Sequence, residues 1–298
     1  MIHVLVLGGT SESYPDDQRT EVPTNTMLYS ITRHLDPAHF HPARWVGYPA
    51  QYAGSMDYEE SVQVAIGNTY QVLGETMAGP GWAEGDKFWL IGYSQGATVV
   101  RRMNELLLGE NPTAASIMEY RNAIAGISCV ADPYRPEGVA LGFDPGGYGV
   151  AGKARYDKGT PMLQVAADRD PICAAPYNSF IRTVADFTGY FAMDKASLQE
   201  WARDLIKRIK SQGWQNANLD WGQFWLFGQR VDNAIDQLGG YLPRSEIRNP
   251  IPGLPPIVIN PGGGRHTCYN IERMPNSPYT YCERIALEMN HIARRNHQ

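Results

Sequence analysis

Residues 88–97 read Phe-Trp-Leu-Ile-Gly-Tyr-Ser-Gln-Gly-Ala, and the rest of the chain is best understood from this run outward. Four apolar residues lead into the pattern Gly-x-Ser-x-Gly, and apolar positions at helical spacing follow as far as Gly109. This order predicts a buried strand, a sharp turn and a helix. Glycines flank the serine because a Cβ there would collide with the neighbouring strand or helix. Such a turn lifts a hydroxyl above the sheet beside a helix N-terminus, so Ser94 is a candidate nucleophile.

Strand-like and helix-like segments alternate on both sides of this turn. The further predicted strands are Ile2 to Leu7, Ala43 to Tyr48, Ala123 to Val130 and Pro161 to Ala167, and the further predicted helices run near Thr26 to Leu35, Tyr58 to Met77 and Ser277 to Arg295. Alternation of this kind predicts an α/β fold with a central, mostly parallel sheet covered by helices on both faces. Functional groups are then expected beyond the carboxyl ends of the strands.

Composition excludes several classes of protein. The chain has 298 residues, of which 43% are hydrophobic, so it can bury a full core. A net charge of −5 argues against a nucleic-acid binder, which would carry a basic face. No apolar run is long enough to predict a membrane span, and the N-terminus reads as a first strand rather than a signal peptide.

Cofactor and metal signals are weak. Gly8-Gly9 follows the first strand, but neither Gly-x-Gly-x-x-Gly nor Gly-Lys-Ser/Thr is present, which argues against a nucleotide site. The four cysteines lack Cys-x-x-Cys spacing, and pairing of Cys268 with Cys282 stays open. His39 and His41 have no acidic or sulfur partner nearby in the sequence, so we expect a surface loop there. No cofactor and no metal are predicted.

A base for Ser94 is found by position. A serine hydroxyl needs a neighbouring base, and histidine suits that task because its pKa lies near neutrality. Three histidines follow Ser94. His291 and His297 lie on the terminal helix or tail and read as solvated. His266 lies in a glycine-rich loop directly after the strand-like run Ile257–Ile259, so it is the candidate base.

The acid and the oxyanion hole have more than one candidate. Asp132, Asp168 and Asp170 all follow predicted strands. Asp132 precedes a proline and comes one strand early, so a turn-capping role is favoured for it. Either Asp168 or Asp170 is placed to orient an imidazole. Backbone N–H groups near Thr10, after the first strand, are candidates for the oxyanion hole. The nearby pair Asp16-Asp17 is interpreted as a solvated loop.

The alternation stops between residues 176 and 255. No strong strand pattern is present there, but two helical patterns are, one starting at Asp194 and one carrying Trp221 and Trp225. Four of the seven tryptophans fall in this segment. The aromatic side chains would either pack on one another and on the sheet or form a cap offered to an apolar substrate. We therefore predict a core of residues 1–175 and 256–298 with a helical insertion at 176–255.

Several motifs together resemble those of the cutinase-like serine esterases, which have the α/β-hydrolase fold. They are Gly8-Gly9-Thr10-Ser11-Glu12, Tyr48-Pro49-Ala50, Gly92-Tyr93-Ser94-Gln95-Gly96, Tyr148-Gly149-Val150-Ala151-Gly152 and Asp170-Pro171-Ile172-Cys173. The resemblance implies that Asp170, which opens an Asp-x-x-Cys-like motif, is the acid. It also implies that Thr10 and the backbone N–H of Gln95 form the oxyanion hole.

The absence of histidine from residues 171–265 departs from the cutinase pattern. A long, tryptophan-bearing segment between acid and histidine is similar to the lysin B proteins of mycobacteriophages. That resemblance implies an esterase that releases mycolic acids from arabinogalactan, acting as a monomer at the lipid-rich bacterial envelope after synthesis in the host without a signal peptide. A general cutinase or lipase, and a non-catalytic lipid-binding protein on the same scaffold, are the alternatives.

Overall fold

The computed structural model of the protein describes residues 1–51, 56, 58–108, 120–153, 160–177, 179, 245–247, 257–259 and 264–296. The following description concerns these residues. The helical patterns predicted from Asp194 and around Trp221, and most of the predicted insertion at 176–255, lie outside them.

A five-stranded sheet forms the centre of the fold. Its strands are β1 (Ile2–Leu7), β2 (Arg44–Trp45), β3 (Lys87–Tyr93), β4 (Ile124–Val130) and β5 (Met162–Val165). They are ordered β2-β1-β3-β4-β5, and every neighbouring pair is parallel. The predicted parallel sheet is therefore confirmed.

Helices cover both faces of this sheet. The described helices are α1 (Tyr29–Thr32), α2 (Tyr58–Ala78), α3 (Gln95–Leu108) and α4 (Tyr281–Asn296), and a 3-10 turn spans Arg265–Thr267. Side chains alternate along β1, so that Val4 and Val6 join the core beneath α1 and α4. Leu5 and Leu7 join the second core beneath α2 and α3. Burial on both faces explains why the strands read as nearly continuous apolar runs.

Register aligns the carboxyl ends of the three central strands. Leu7 of β1 pairs with Gly92 of β3, which in turn pairs with Cys129 of β4. The loops that follow these strands therefore all begin at the same end of the sheet, where the carboxyl ends of the strands lie side by side. Together with the serine turn between β3 and α3, this sheet has the α/β-hydrolase architecture expected from the sequence.

Element bounds differ from prediction mainly at the sheet edge and in the first helix. Strand β2 is two residues long and lies at the edge of the sheet, where it pairs with β1 and forms one antiparallel bridge with Glu21. Helix α1 is a single turn, whereas the apolar spacing predicted a helix over the ten positions 26–35. The bounds of α2 and β4 agree with prediction to within one residue, and β3 contains the predicted apolar run 88–91 and continues to Tyr93.

A second, two-stranded sheet was not predicted. Strand β7 (Ile257–Ile259) was expected from its apolar run, and it pairs antiparallel with β6 (Ser245–Ile247). The sequence Ser-Glu-Ile is too short and too polar to show strand periodicity, which is why the segment was interpreted as strand-free.

One loop interpretation is wrong and one is incomplete. The carboxylate of Asp17, expected in a solvated loop, is fully buried and accepts hydrogen bonds from Ser13, Arg19 and Trp45. His41 lies in a partly exposed loop, as expected, but it has an acidic neighbour, since its Nε2 lies 3.7 Å from Asp86. Trp45 and Asp86 lie far along the chain from Asp17 and His41, so the local sequence does not show these contacts.

The four cysteines are all buried and free. Cys268 and Cys282 are not paired. The Cys268 thiol donates to the carbonyl of Arg265 at 3.1 Å, and burial raises its pKa to about 12. Among the described helices, none has the length and apolar character needed to cross a membrane.

Candidate active site

Ser94 lies at the corner between β3 and α3. Its backbone has φ of 52°, in the left-handed region that L-residues seldom adopt, and its N–H donates to the carbonyl of Val130 at 2.9 Å. A Cβ on Gly92 would overlap the carbonyl of Gly96, and a Cβ on Gly96 would overlap the carbonyl of Leu7. The two glycines therefore allow the helix to start directly against the ends of β1 and β3.

Three predicted residues form one chain of hydrogen bonds. The Ser94 hydroxyl lies 2.9 Å from Nε2 of His266. Nδ1 of the same ring lies 3.0 and 3.1 Å from the two carboxylate oxygens of Asp170. With Nδ1 protonated towards the carboxylate, Nε2 carries a lone pair that can accept the serine proton.

Asp170 is fully buried, yet its environment favours the charged form. Burial alone would raise the pKa of this carboxyl, but the facing His266 and hydrogen bonds from the Tyr269 hydroxyl and the Ile172 N–H hold it below its ordinary value. The Cys173 thiol lies 3.3 Å from the same carboxylate. Asp170 is thus a fixed anion that can stabilise an imidazolium.

The loop that carries His266 is fixed by two further contacts. Tyr93, the residue before the serine, donates from its hydroxyl to the His266 carbonyl at 2.8 Å, and its ring stacks on the imidazole with centroids 5.5 Å apart. Arg265 donates from Nε to the backbone carbonyl of Asp168 at 2.8 Å. The histidine loop is therefore attached both to the serine turn and to the loop of the acid.

The other two acid candidates lie elsewhere. The Asp168 side chain is 55% exposed and pairs at 3.7 Å with Arg169. Asp132 is buried against Arg101, with Nη2 at 2.5 Å, and it accepts the Tyr134 N–H at 2.8 Å. The turn-capping role favoured for Asp132 is present, and a buried ion pair accompanies it.

The two residues implied for the oxyanion hole contact each other. The Thr10 hydroxyl donates to Oε1 of Gln95 at 3.1 Å. The Gln95 amide in turn donates to the Ser61 hydroxyl at 3.1 Å and to the Gln51 carbonyl at 3.3 Å. Gln95 is also the first residue of α3, where backbone N–H groups have no partner within the helix. The Thr10 hydroxyl therefore contacts the side chain of the residue that follows Ser94, at the N-terminus of α3.

Glu12 holds the loop after β1 in place. One carboxylate oxygen accepts the Gly9 N–H at 2.8 Å and the other accepts the Met27 N–H at 2.7 Å. On the other side of Thr10, the Ser11 N–H donates to the Ala50 carbonyl at 2.9 Å. Burial raises the pKa of Glu12, although both N–H donors act against that rise. Thr10 is therefore fixed from both sides.

Sequence reasoning did not assign roles to Tyr269, Tyr93 or Glu12. Tyr269 follows the histidine by three residues, but nothing in that spacing distinguishes it from a core tyrosine. Glu12 and Tyr93 are members of quoted motifs, and only the contacts of the folded chain give them a role. Of the remaining histidines, His291 is exposed on α4, as expected, and His297 lies outside the described residues.

Comparisons with known proteins give similarity at the level of solved structures. No protein-family model matches the chain, and no curated protein matches it by sequence. Lysin B from Mycobacteriophage D29 is 16% identical, with 97% of this chain and 98% of that chain covered and a TM-score of 0.46. A cutinase-like protein from Cryptococcus sp. is 17% identical, with 64% and 97% covered and a TM-score of 0.41. An acetylxylan esterase is 18% identical, with 63% and 91% covered and a TM-score of 0.41.

Proposed function

We propose that the protein is a serine esterase that uses Ser94 as nucleophile, His266 as base and Asp170 as the acid that orients the base. The observation that carries this proposal is the continuous hydrogen-bonded path from the Ser94 hydroxyl through both nitrogens of His266 to a buried carboxylate. A hydroxyl, an imidazole and an anion in that order are what nucleophilic acyl transfer requires.

Acylation follows from this geometry. As Ser94 Oγ attacks the ester carbonyl carbon, Nε2 of His266 takes the hydroxyl proton and Asp170 stabilises the resulting imidazolium. Negative charge develops on the carbonyl oxygen, and we assign the Thr10 hydroxyl and the N–H of Gln95 as its donors, the hydroxyl turning from Oε1 of Gln95 to do so. One such donor contributes roughly 3–4 kcal/mol in related acyl transfer. The carbon–oxygen bond to the leaving alcohol then breaks, and the imidazolium returns its proton to that oxygen.

Deacylation uses the same groups in reverse. His266 takes a proton from a water molecule, whose oxygen attacks the acyl carbon. The bond to Ser94 Oγ breaks, the imidazolium reprotonates the serine, and a free carboxylic acid leaves. Each proton taken from a nucleophile is therefore returned to a leaving oxygen, and no cofactor takes part in the reaction as proposed.

The substrate that we propose is a lipid ester on a polysaccharide, the mycolyl ester of arabinogalactan. Support for this choice comes from the sequence between acid and base: residues 171–265 contain four tryptophans and no histidine, and a long, tryptophan-bearing segment at this place is similar to that of the lysin B proteins. Aromatic side chains suit a long acyl chain. Under this proposal the protein contacts the envelope peripherally and acts as a monomer.

Covalent labelling tests the catalytic step. A fluorophosphonate should label the wild-type chain once, at Ser94, and Ser94→Ala should remove labelling. The same variant should lower hydrolysis of p-nitrophenyl esters by roughly 10⁴-fold or more while keeping the wild-type melting temperature. A folded chain that fails to react, or a Ser94→Ala variant that still hydrolyses esters, would contradict the proposal and favour a binding protein.

Substrate choice needs a separate assay. Purified mycolyl-arabinogalactan and an emulsified triglyceride should be compared at equal enzyme concentration, with Ser94→Ala as blank. Release of free mycolic acid above the blank supports the proposed substrate. Hydrolysis of the triglyceride without release of mycolate would identify a general lipase instead.

A further inference from the structure

A second group of titratable side chains lies at the opposite end of the sheet from Ser94, where the strands begin. His3 is the second residue of β1, Asp86 directly precedes β3, and His41 lies three residues before β2. Because Ile2 pairs with Lys87, the beginnings of β1 and β3 are neighbours. The serine turn follows the opposite ends of these strands, so the group is separate from the candidate active site.

The donor atoms of these three residues converge. Nε2 of His3 lies 3.1 Å from Oδ2 of Asp86, and Nε2 of His41 lies 3.7 Å from the same oxygen. All three donor atoms lie within 4.8 Å of one another. In a tetrahedral zinc site with bonds of about 2.0–2.1 Å, donors stand roughly 3.4 Å apart. The distances between donors are close to this value, but the imidazole rings are stacked with centroids 4.0 Å apart, so a ring must turn for one ion to lie in the planes of both.

The surroundings of Asp86 leave one oxygen directed at the histidines. Oδ1 accepts a hydrogen bond from the Met1 ammonium at 2.5 Å. Oδ2 accepts the Ala83 N–H at 3.1 Å, which uses one of its two lone pairs. The side chain of Asp86 is 5% exposed, so its carboxylate is held in one orientation. Contacts of this kind fix metal ligands before the ion arrives.

The histidines are also held by their neighbours. The Trp82 ring stacks on His3 with centroids 5.2 Å apart, and the His3 side chain is 12% exposed. Nε2 of His3 lies 3.1 Å from Oδ2 of Asp86, so an ion bound at that nitrogen would replace this hydrogen bond.

We propose that His3, His41 and Asp86 bind one late first-row divalent cation, with Zn²⁺ as the preferred ion and water in the fourth position. Two imidazole nitrogens and one carboxylate oxygen favour this class of metal, whereas Mg²⁺ and Ca²⁺ require more oxygen ligands. Within the described ranges this is the one group of three such donors. The ion would join β1, the segment before β2 and the segment before β3, so its role is structural and independent of Ser94.

Cobalt spectroscopy of the full chain tests the site. Any affinity tag must be C-terminal and removed, because the Met1 ammonium contacts Asp86. Titration with Co²⁺ should produce ligand-field absorption that saturates at one ion per chain and disappears on adding one equivalent of Zn²⁺. His3→Gln, His41→Gln and Asp86→Asn should each weaken Co²⁺ binding more than about tenfold. The exposed His291→Gln is the matched control and should bind as the wild type does.

A second measurement on the wild-type chain guards against misfolded variants. In ¹H–¹⁵N spectra of the imidazoles, one equivalent of Zn²⁺ should shift the ring nitrogens of His3 and His41 and leave those of His266 and His291 in place. Absence of saturable Co²⁺ absorption would overturn the proposal. So would zinc-induced shifts confined to His266, or Co²⁺ binding by folded His3→Gln and His41→Gln that equals the wild type.

Discussion

The phenolic hydroxyl of Tyr269 donates a hydrogen bond to Oδ2 of Asp170, the same oxygen that lies 3.0 Å from Nδ1 of His266. The hydroxyl also accepts the Ala167 N–H at 3.0 Å, and burial places the pKa of Tyr269 well above its ordinary value. Tyr269 is therefore a neutral donor fixed on the acid, and we assign it as a positioning residue.

Replacing this donor should slow the chemical step. Tyr269→Phe removes one hydrogen bond to a buried carboxylate, an interaction of about 1.5–3 kcal/mol. We expect kcat on p-nitrophenyl esters to fall roughly 10- to 100-fold with KM within about twofold. Tyr281 packs edge to face on Tyr269, with ring centroids 5.3 Å apart. Tyr281→Phe is therefore the control and should keep the wild-type kcat. Equal losses in both variants would point to a packing role.

The Thr10 hydroxyl should matter for the transition state rather than for binding. Thr10→Val keeps the shape of the side chain and removes the donor, so kcat should fall about 10²–10³-fold while KM changes little. Thr10→Ser restores the hydroxyl and should recover most of the rate. Steady-state kinetics of both variants decide the matter, and a valine variant with wild-type kcat would assign the oxyanion to backbone N–H groups alone.

Alanine should destabilise the chain at Gly92, two residues before Ser94, but not at the exposed Gly67. Gly92→Ala would drive a Cβ into the backbone of Gly96, and such overlap costs roughly 1–3 kcal/mol or more. Gly67 lies exposed in α2 with no atom near the position of an added Cβ. Gly67→Ala should therefore stabilise the chain by roughly 0.5–1 kcal/mol. Urea denaturation of the two variants should give free energies of unfolding that change in opposite directions.

The buried carboxylate of Asp17 should make the free energy of unfolding depend on pH. Burial raises its pKa, but hydrogen bonds from Arg19, Ser13 and Trp45 outweigh that effect and hold it below the ordinary value. In the unfolded chain the pKa of Asp17 is about 3.9. Because its pKa is lower in the folded chain, the ionised carboxylate stabilises the fold above about pH 3.9, and this stabilisation is lost as the pH falls below that value.

Asp17→Asn should consequently lower the free energy of unfolding at pH 7, by about 1.5–3 kcal/mol. The difference from the wild type should shrink as the pH is lowered from 4 towards 2. Asp16→Asn, at the exposed neighbouring position, should change little at any pH. Denaturation curves at pH 7, 4 and 3 provide the measurement, and a pH-independent difference for Asp17→Asn would refute the assignment.

Sequence reasoning succeeded where the signal was local. The strand, turn and helix around Ser94 follow from apolar spacing and two glycines, and the parallel sheet follows from alternation of strands and helices. His266 was chosen because few histidines follow the serine and only one lies in a loop after a strand; the structure places it 2.9 Å from the Ser94 hydroxyl, and its role as base stays a prediction. Each of these inferences uses residues within one segment or a simple order along the chain.

It failed where the deciding contact joins distant segments. Asp17 looks solvated until Trp45 folds over it, and His41 has no acidic neighbour until β1 and β3 bring Asp86 to it. Tyr269 reads as an ordinary core aromatic until its hydroxyl meets Asp170. Periodicity carries no information about such pairs, because it reports which face of an element is buried and not which polar group that face meets.

The 172 positions that separate Ser94 from His266 also set the order in which the site is completed during translation. At roughly 5–20 residues per second, a ribosome needs roughly 10–30 s to add the imidazole after the serine. Under the proposed mechanism, the growing chain carries Ser94, Thr10 and eventually Asp170 throughout that interval, but not the base His266. That mechanism therefore implies a nascent polypeptide without esterase activity until the segment that carries His266 has been added and has folded against Ser94.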